Sequence, residues 1–301
     1  YLQPDTLVAA MPARGGFEFQ TAETLRRNNR KDVIIAGFQT LPWACRIKEY
    51  AKSVEIYGQK RKVGLATLPS HYAKAVTRTF NELLEPEFVP YNNMLELTLS
   101  NQGQIIHPGI MYGAFADKLD ESYREDEIPL FYTSADEKTA YLLESMSQEI
   151  LGAKKAIQNT FKIKLEKITS ISQWMLESYA EDIEDKSSLA RMFQTNRSYR
   201  SLKIPVKSVA DDLYQINVKS RYLIEDIPYG LLVSKAVAEL ADVDTPKIDE
   251  VIKETSKWIG VQYLTNGKLE GKDLAKTRIP QNFGLRSLEA IIETVTKGFS
   301  H

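Results

Sequence analysis

Cysteine is almost missing from this chain: Cys45 is the one thiol in 301 residues. A single cysteine cannot close an internal disulfide, so nothing marks a secreted, disulfide-stapled framework. Cys45 also lacks the neighbours of a reactive thiol motif, and a buried structural thiol is expected there. No apolar run approaches the roughly 20 residues that span a bilayer, and no signal peptide is visible. A cytoplasmic protein with no membrane partner is the expectation. Excess charge of either sign is absent too. Lys and Arg number 39 against 40 Asp and Glu, for a formal net charge of -1. That balance excludes a protein that holds nucleic acid by neutralising phosphates. Internal repeats and low-complexity segments are lacking.

What is present suffices for two ordinary domains with sizeable cores: 43% of the residues are hydrophobic and 26% charged. Residues 1–100 read as α/β. Thr6–Met11 is a short apolar run between turn residues, which predicts a buried parallel strand. Arg14-Gly15-Gly16 follows as a loop, a helix is expected over 21–28, and Val33–Gly37 predicts a second buried strand. Val54–Tyr57 and Val63–Ala66 are strand-like, with Lys60-Arg61-Lys62 between them as an exposed hairpin tip. Ser70 fits an N-cap for a helix to about Leu84. Beyond Asn101 helical periodicity dominates. Ser134 and Glu137 have capping-box spacing. Leu143, Met146, Ile150, Ala153 and Ile157 then recur at steps of three and four, one face of a helix. Ile171, Trp174, Met175 and Tyr179 repeat that pattern. Pro228 suits the first turn of a helix towards Ala241, and Thr245-Pro246 the start of another carrying Val251, Ile252 and Trp258. The expected architecture is α/β plus all-α: a Rossmann-type doubly wound domain over 1–100, then a helical domain over 101–301.

Such sheets bind nucleotides at the carboxyl ends of their strands, usually through Gly-x-Gly-x-x-Gly after the first one. That fingerprint is absent, and Gly15-Gly16 alone reads as a turn. The chain opens at Tyr1 without methionine and is strand-like within a few residues, so an incomplete domain is the expectation.

Of three histidines, His301 is terminal and expected to fray. His71, beside Ser70, reads as a solvated residue at a helix start. His107 lies in Gln104–Gly109 at the expected junction, and ligand sites favour clefts between domains. Read alone, it is a structural histidine beside Pro108. Asp226, just before Pro228, reads alone as a helix-start carboxylate. Arg221 reads as a surface charge or a partner of Glu225.

Together these stretches resemble the opine dehydrogenase family of octopine, nopaline and related enzymes. The resemblance runs over nearly the whole chain. It rests on Leu99-Ser100-Asn101 with Ile106-His107-Pro108, and on Tyr199–Lys203 ahead of Arg221–Leu231, the most specific part. Ala238–Ala241 with Thr245–Asp249 adds to it, as do Thr40–Arg46 and Val54–Gly58.

The resemblance implies a reaction. An amino acid condenses with a 2-oxo acid, often pyruvate, and NADH or NADPH reduces the imine. The partners implied are these small molecules, with no metal required and the protein a monomer or homodimer. An ammonium must lose a proton before it attacks, and the carbinolamine must receive one to lose water; a histidine suits both steps. By resemblance His107 is that group, Asp226 orients it through its other nitrogen, and Arg221 binds the 2-oxo acid carboxylate. Met11, Pro12, Arg14 and Gly15 sit where a later strand meets the cofactor side of the sheet and are expected to approach the cofactor. The family's glycine-rich turn is expected ahead of Tyr1, so the 301-residue chain made alone is expected to bind dinucleotide poorly, and to be inactive or prone to aggregate. Two other readings compete. One is a two-domain 2-hydroxy acid or sugar-acid dehydrogenase, which typically uses a lysine as acid–base. The other is a non-catalytic helical binding module, in which His107, Asp226 and Arg221 do not converge.

Overall fold

Apolar, β-branched runs build the first half of the chain. The computed structural model describes residues 2–298, without the side chains of Ala44, Arg46 and Tyr57, so Tyr1 and His301 lie outside it. Strand β1 (Leu7–Ala10) pairs in parallel with β2 (Ile34–Phe38), and helix α1 (Phe17–Arg27) connects them. β1 is an edge strand and only half-buried, against the buried strand expected; β2 carries the core side chains Ile35, Ala36 and Phe38.

Helix α1 starts four residues ahead of the expected position, because Gly16 provides a left-handed cap at φ 75° and Phe19, Ala22 and Leu25 bury one face. A Cβ at Gly16 would lie 2.3 Å from the Arg278 carbonyl oxygen, so both the φ and the space require glycine.

The next segment corrects the expected strand pairing. β3 (Trp43–Glu49) and β4 (Ser53–Gln59) form a separate hairpin, turning at residues 50–52. Lys60–Lys62 is therefore the return from that hairpin into the sheet and not its tip. Strand β5 (Lys62–Leu68) then joins β2 antiparallel. A hairpin excursion, unlike a crossover helix, brings the chain back running the opposite way. Cys45 lies half-buried in β3 and not in a core.

Ser70 caps nothing: its hydroxyl donates to the Thr296 carbonyl, and a 3-10 turn leads into α2 (Ala73–Leu83). His71 is exposed beside Tyr72. Strand β6 (Glu87–Pro90) closes the sheet in the order β1-β2-β5-β6, parallel to β5.

From α3 (Met94–Leu99) onward helices dominate: α4 (Gly103–Phe115), α5 (Glu137–Phe161), α6 (Ile171–Tyr179) and α7 (Leu189–Thr195). The stripe Leu143, Met146, Ile150, Ala153 and Ile157 of α5 is buried as its spacing predicts. Each such side chain contributes roughly 1.5–3 kcal/mol by leaving water, fewer for alanine. The cap differs from the expected one. Asp136 accepts from the Thr139 N–H at 2.8 Å, while the Ser134 hydroxyl donates to the Leu130 carbonyl.

A small antiparallel sheet escaped the periodicity reading. β7 (Ser122–Tyr123) pairs with β9 (Leu213–Ile216), which pairs with β8 (Val206–Ala210). The strands are short and mostly exposed, so they carry little alternation. Three further helices follow: α8 (Arg221–Ile224), α9 (Leu232–Leu240) and α10 (Pro246–Ile259). The helix expected from Pro228 is broken, since a π-type segment, Ile227–Leu231, precedes α9. The last helix, α11 (Leu288–Lys297), returns to pack on β5. An α/β sheet layer followed by a helical body is the fold class that the sequence predicts. Among the described residues no helix is long and apolar enough to cross a membrane.

Candidate active site

His107 lies on α4, and Asp226 at the break between α8 and the π-type segment. The break has a local cause. Pro228 has no N–H to give, and the Leu231 N–H reaches back five residues to the Asp226 carbonyl at 2.8 Å. The Asp226 side chain is thereby turned off the helix surface into the protein, 1% exposed.

A carboxylate so buried is tolerated only when paired and hydrogen-bonded. Asp226 has both. Its Oδ2 lies 2.7 Å from His107 Nδ1, and its Oδ1 accepts from the Arg14 guanidinium. Arg14 also approaches Glu225 at 3.9 Å. Because a carboxylate only accepts, Nδ1 of His107 carries a proton, and in the neutral ring Nε2 presents its lone pair. The Tyr132 hydroxyl, 2.9 Å away, donates to it.

Aromatic packing fixes the imidazole plane. Tyr222 stacks on it with centroids 4.1 Å apart and planes at 13°, and Phe131 lies at 6.0 Å. Tyr132 is itself stacked on Tyr199 at 4.1 Å. The His107 side chain is still 12% exposed, so a small molecule can reach it.

Arg221 is exposed, with its guanidinium 5.9 Å from the Tyr222 centroid, on the other neighbour of the ring that stacks on His107. Its carbonyl accepts from the Asp226 N–H at 3.2 Å. His107 and Asp226 meet directly, and Arg221 reaches them through the Tyr222 ring and its own backbone carbonyl. The groups touching His107 are Asp226, Tyr132, Phe131 and Tyr222; among the described residues no lysine is one of them.

The turn after β1 meets this site. Ala13 N–H donates to the Phe38 carbonyl at 2.8 Å, pinning the turn across the carboxyl ends of β1 and β2. Met11 and Pro12 are half-buried there. Arg14 pairs with Asp226. Gly15 packs on the helical body: a Cβ there would sit 3.1 Å from the Tyr229 carbonyl. Sequence reasoning had placed Arg14 and Gly15 beside a cofactor. It missed Tyr132 and Tyr222, which no motif marks, although Tyr222 adjoins Arg221.

Beneath the pair runs a buried polar seam. Glu18 of α1 is fully buried; Thr98 donates to its Oε1 at 2.8 Å, and its Oε2 has no partner. From the other side Gln104 donates to the Thr98 carbonyl at 3.2 Å and to Ser234 Oγ at 2.9 Å. Burial pushes the Glu18 carboxyl up to about 7, against the Thr98 hydrogen bond and the Arg278 charge, which pull it down. Folded Glu18 keeps its proton where the unfolded chain, near 4.5, has lost it. The contribution to stability is therefore largest below about 4.5 and fades as pH rises towards about 7. Glu18→Gln is expected to match the wild type at pH 5 and to be more stable at pH 8 by roughly 1–3 kcal/mol. Denaturant midpoints at both pH values check this; a wild-type minus variant difference that does not change with pH contradicts it.

Known proteins share this arrangement of chain. The sequence model of the family described as NAD/NADP octopine/nopaline dehydrogenase, alpha-helical domain, matches residues 90–259. An opine dehydrogenase of Haliotis discus hannai is 35% identical over 299 residues, covering 97% of this chain and 72% of the relative. A solved octopine dehydrogenase with NADH and L-arginine superposes with a TM-score of 0.86 at 34% identity, over 100% of this chain and 73% of that one. The same enzyme with NADH and pyruvate gives a TM-score of 0.82 at 32% identity, with the same coverage.

Proposed function

The chain belongs to the NAD/NADP-dependent octopine/nopaline dehydrogenase family, and from that premise we propose how its own residues serve the family's reaction. It is an oxidoreductase that condenses the amino group of an amino acid with the carbonyl of a 2-oxo acid and reduces the imine to an opine. Pyruvate is the 2-oxo acid we assign, since it is bound in the solved relative.

The observation that carries the mechanism is the orientation of His107. Asp226 holds the proton on Nδ1, so Nε2 is the proton acceptor. Nε2 takes a proton from the incoming ammonium, which frees the lone pair that attacks the carbonyl carbon. Attack leaves a cationic nitrogen and an alkoxide. A second N–H proton passes from that nitrogen to the oxygen to give the carbinolamine. The proton held on Nε2 then protonates its hydroxyl, which leaves as water while the nitrogen lone pair closes the C=N bond. Asp226 and Arg14 bound the charge change: the carboxylate stabilises the transient imidazolium, and the guanidinium keeps that carboxylate from being a lone buried anion. The Tyr132 hydroxyl occupies the Nε2 lone pair, so it turns away from that nitrogen before the substrate proton is taken. When bound, the nicotinamide supplies the hydride.

The turn after β1 fits such a cofactor, because it is pinned across two parallel strand ends, where doubly wound sheets take dinucleotides. We assign Met11 and Pro12 to that contact. Arg14 and Gly15 serve it by tying the turn to Asp226 and Gly230. We place the junction of the two halves near residue 100, between β6 and α4.

The test is an assay with pyruvate, NADH or NADPH, and a panel of amino acids. Consumption of reduced cofactor that depends on both pyruvate and an amino acid supports the reading. Turnover with pyruvate alone replaces it with a 2-hydroxy acid dehydrogenase.

Among the described residues Arg221 has no carboxylate partner, and it is exposed beside the Tyr222 ring, which supports its assignment to the 2-oxo acid carboxylate. Arg221→Lys keeps the charge and loses the planar fork. It is expected to raise the KM for pyruvate roughly tenfold, the worth of about 1.4 kcal/mol of bidentate binding, with a small change in KM for the reduced cofactor. A rise confined to the cofactor KM reassigns the guanidinium to the dinucleotide.

A further inference from the structure

On the outer face of α1 lies a second polar cavity, away from His107. It has a volume of about 440 Å3 and is walled by α1 and residues 274–283. Its lining includes Gln20, Thr24 and Arg27 on one side, with Tyr229, Lys276 and Arg278 on the other.

Arg278 is the unusual member. Its Nε donates to Gln20 Oε1 at 2.7 Å, and its guanidinium lies 4.8 Å from the Tyr229 centroid. No carboxylate stands within ion-pair range of it among the described residues. Burial lowers its affinity for its proton. The nearby Glu18 carboxyl does little to offset that, since it holds its own proton up to about 7. Among the described residues the terminal nitrogens of Arg278 have no acceptor, so donors of a half-buried cation are uncommitted. A planar fork of free N–H donors matches the two oxygens of a carboxylate or phosphate.

Lys276 is exposed on the same wall and, among the described residues, also lacks a carboxylate. The carboxylate in the lining, Glu23, is already held by both Arg26 and Arg27, which keep it down at about 2. Lys276 and Arg278 therefore face a carboxylate already neutralised by Arg26 and Arg27 across a polar cavity.

The cavity is also wired to the catalytic segment. The Arg278 N–H donates to the Pro228 carbonyl at 3.1 Å, two residues beyond Asp226. Its carbonyl presses on Gly16, next to the turn that carries Arg14.

We propose that this cavity is an anion-binding site separate from the catalytic cleft. It takes a carboxylate- or phosphate-bearing small molecule on Arg278 and Lys276, and its occupancy is felt at Asp226 through Pro228. An anion that fixes the Arg278 side chain also fixes the backbone hydrogen bond that holds the Asp226 break.

Calorimetric titration of the full chain with inorganic phosphate, and separately with citrate, tests the binding. Saturable binding of one equivalent is expected from at least one probe; phosphate alone assigns the phosphoryl class, and citrate alone the carboxylate class. Arg278→Gln is expected to weaken it at least tenfold, and Lys276→Gln about fivefold. Lys276→Gln changes an exposed side chain, so it remains informative if Arg278→Gln does not fold. Arg221→Gln is expected to leave the affinity unchanged. No saturation by either probe overturns the site, as does wild-type affinity in Lys276→Gln. Loss of binding in Arg221→Gln places the anion in the catalytic cleft and overturns it equally. These arms do not depend on the enzymatic reading. The coupling is read separately, as an at least twofold change in the KM for pyruvate at saturating anion that Lys276→Gln abolishes. A bound anion with no such change overturns the link to Asp226.

Discussion

His107→Ala is expected to lower kcat by about 10²–10⁴-fold, the usual worth of a positioned general acid–base group, while the chain stays folded. The size follows from the one-residue character of the relay. His107 is the histidine at this site, and Nε2 is the nitrogen left to accept a proton once Asp226 holds Nδ1. Removing the imidazole leaves no second imidazole to replace it: Asp226 stays paired with Arg14, and Tyr132, Phe131 and Tyr222 are the other groups at its ring. The loss should fall on kcat more than on KM, because Arg221 and the cofactor turn are untouched. Folding survives because Asp226 keeps Arg14 as its counter-charge. The space left is open to solvent, since the side chain is 12% exposed. Steady-state rates with pyruvate and an accepted amino acid, alongside a thermal melt, check the expectation. A well-folded variant that turns over at the wild-type rate removes His107 from the mechanism.

Much of the site was legible before the fold because its residues sit at chain features that leave a mark. His107 precedes a proline within a helix, and Asp226 precedes another at a helix break. Both stand in stretches that resemble one family. Periodicity found the buried stripe of α5, since a long helix with one buried face writes a regular pattern. The misses have physical causes as well. β5 was paired with the wrong partner because an apolar run does not state its neighbour; only the β3–β4 excursion determines that it meets β2 antiparallel. Ser134 has the spacing of a cap and loses the place to Asp136, since two adjacent candidates differ by tenths of a kcal/mol at most. Tyr132 meets His107 across 25 residues, and Arg14 meets Asp226 across 212. No local pattern encodes such contacts. Arg14 shows the difficulty in one residue: the loop it stands in gives no sign of the carboxylate it meets in the fold.

Asp226→Asn is the sharper test of how the pair works. Asparagine keeps the shape and removes the charge. If its amide nitrogen turns towards His107 Nδ1, the imidazole must carry its proton on Nε2 and loses the lone pair that receives the substrate proton. In a serine protease triad this change of tautomer lowers kcat by about 10⁴, and a loss of about 10²–10⁴ is expected here. A stability cost accompanies it, because Arg14 loses its ion-pair partner. Breaking a fully buried pair typically costs about 3–5 kcal/mol, but Arg14 is 20% exposed and water can reach it. A cost nearer 1–2 kcal/mol is expected once that screening is allowed for. The decisive measurement is the double variant. If Asp226 acts only through His107, adding Asp226→Asn to His107→Ala lowers kcat by little more, whereas independent roles make the losses multiply. A double variant worse than His107→Ala by the full factor of the Asp226→Asn single would show that the carboxylate meets the substrate itself, and the proton path drawn through Nδ1 would have to be abandoned.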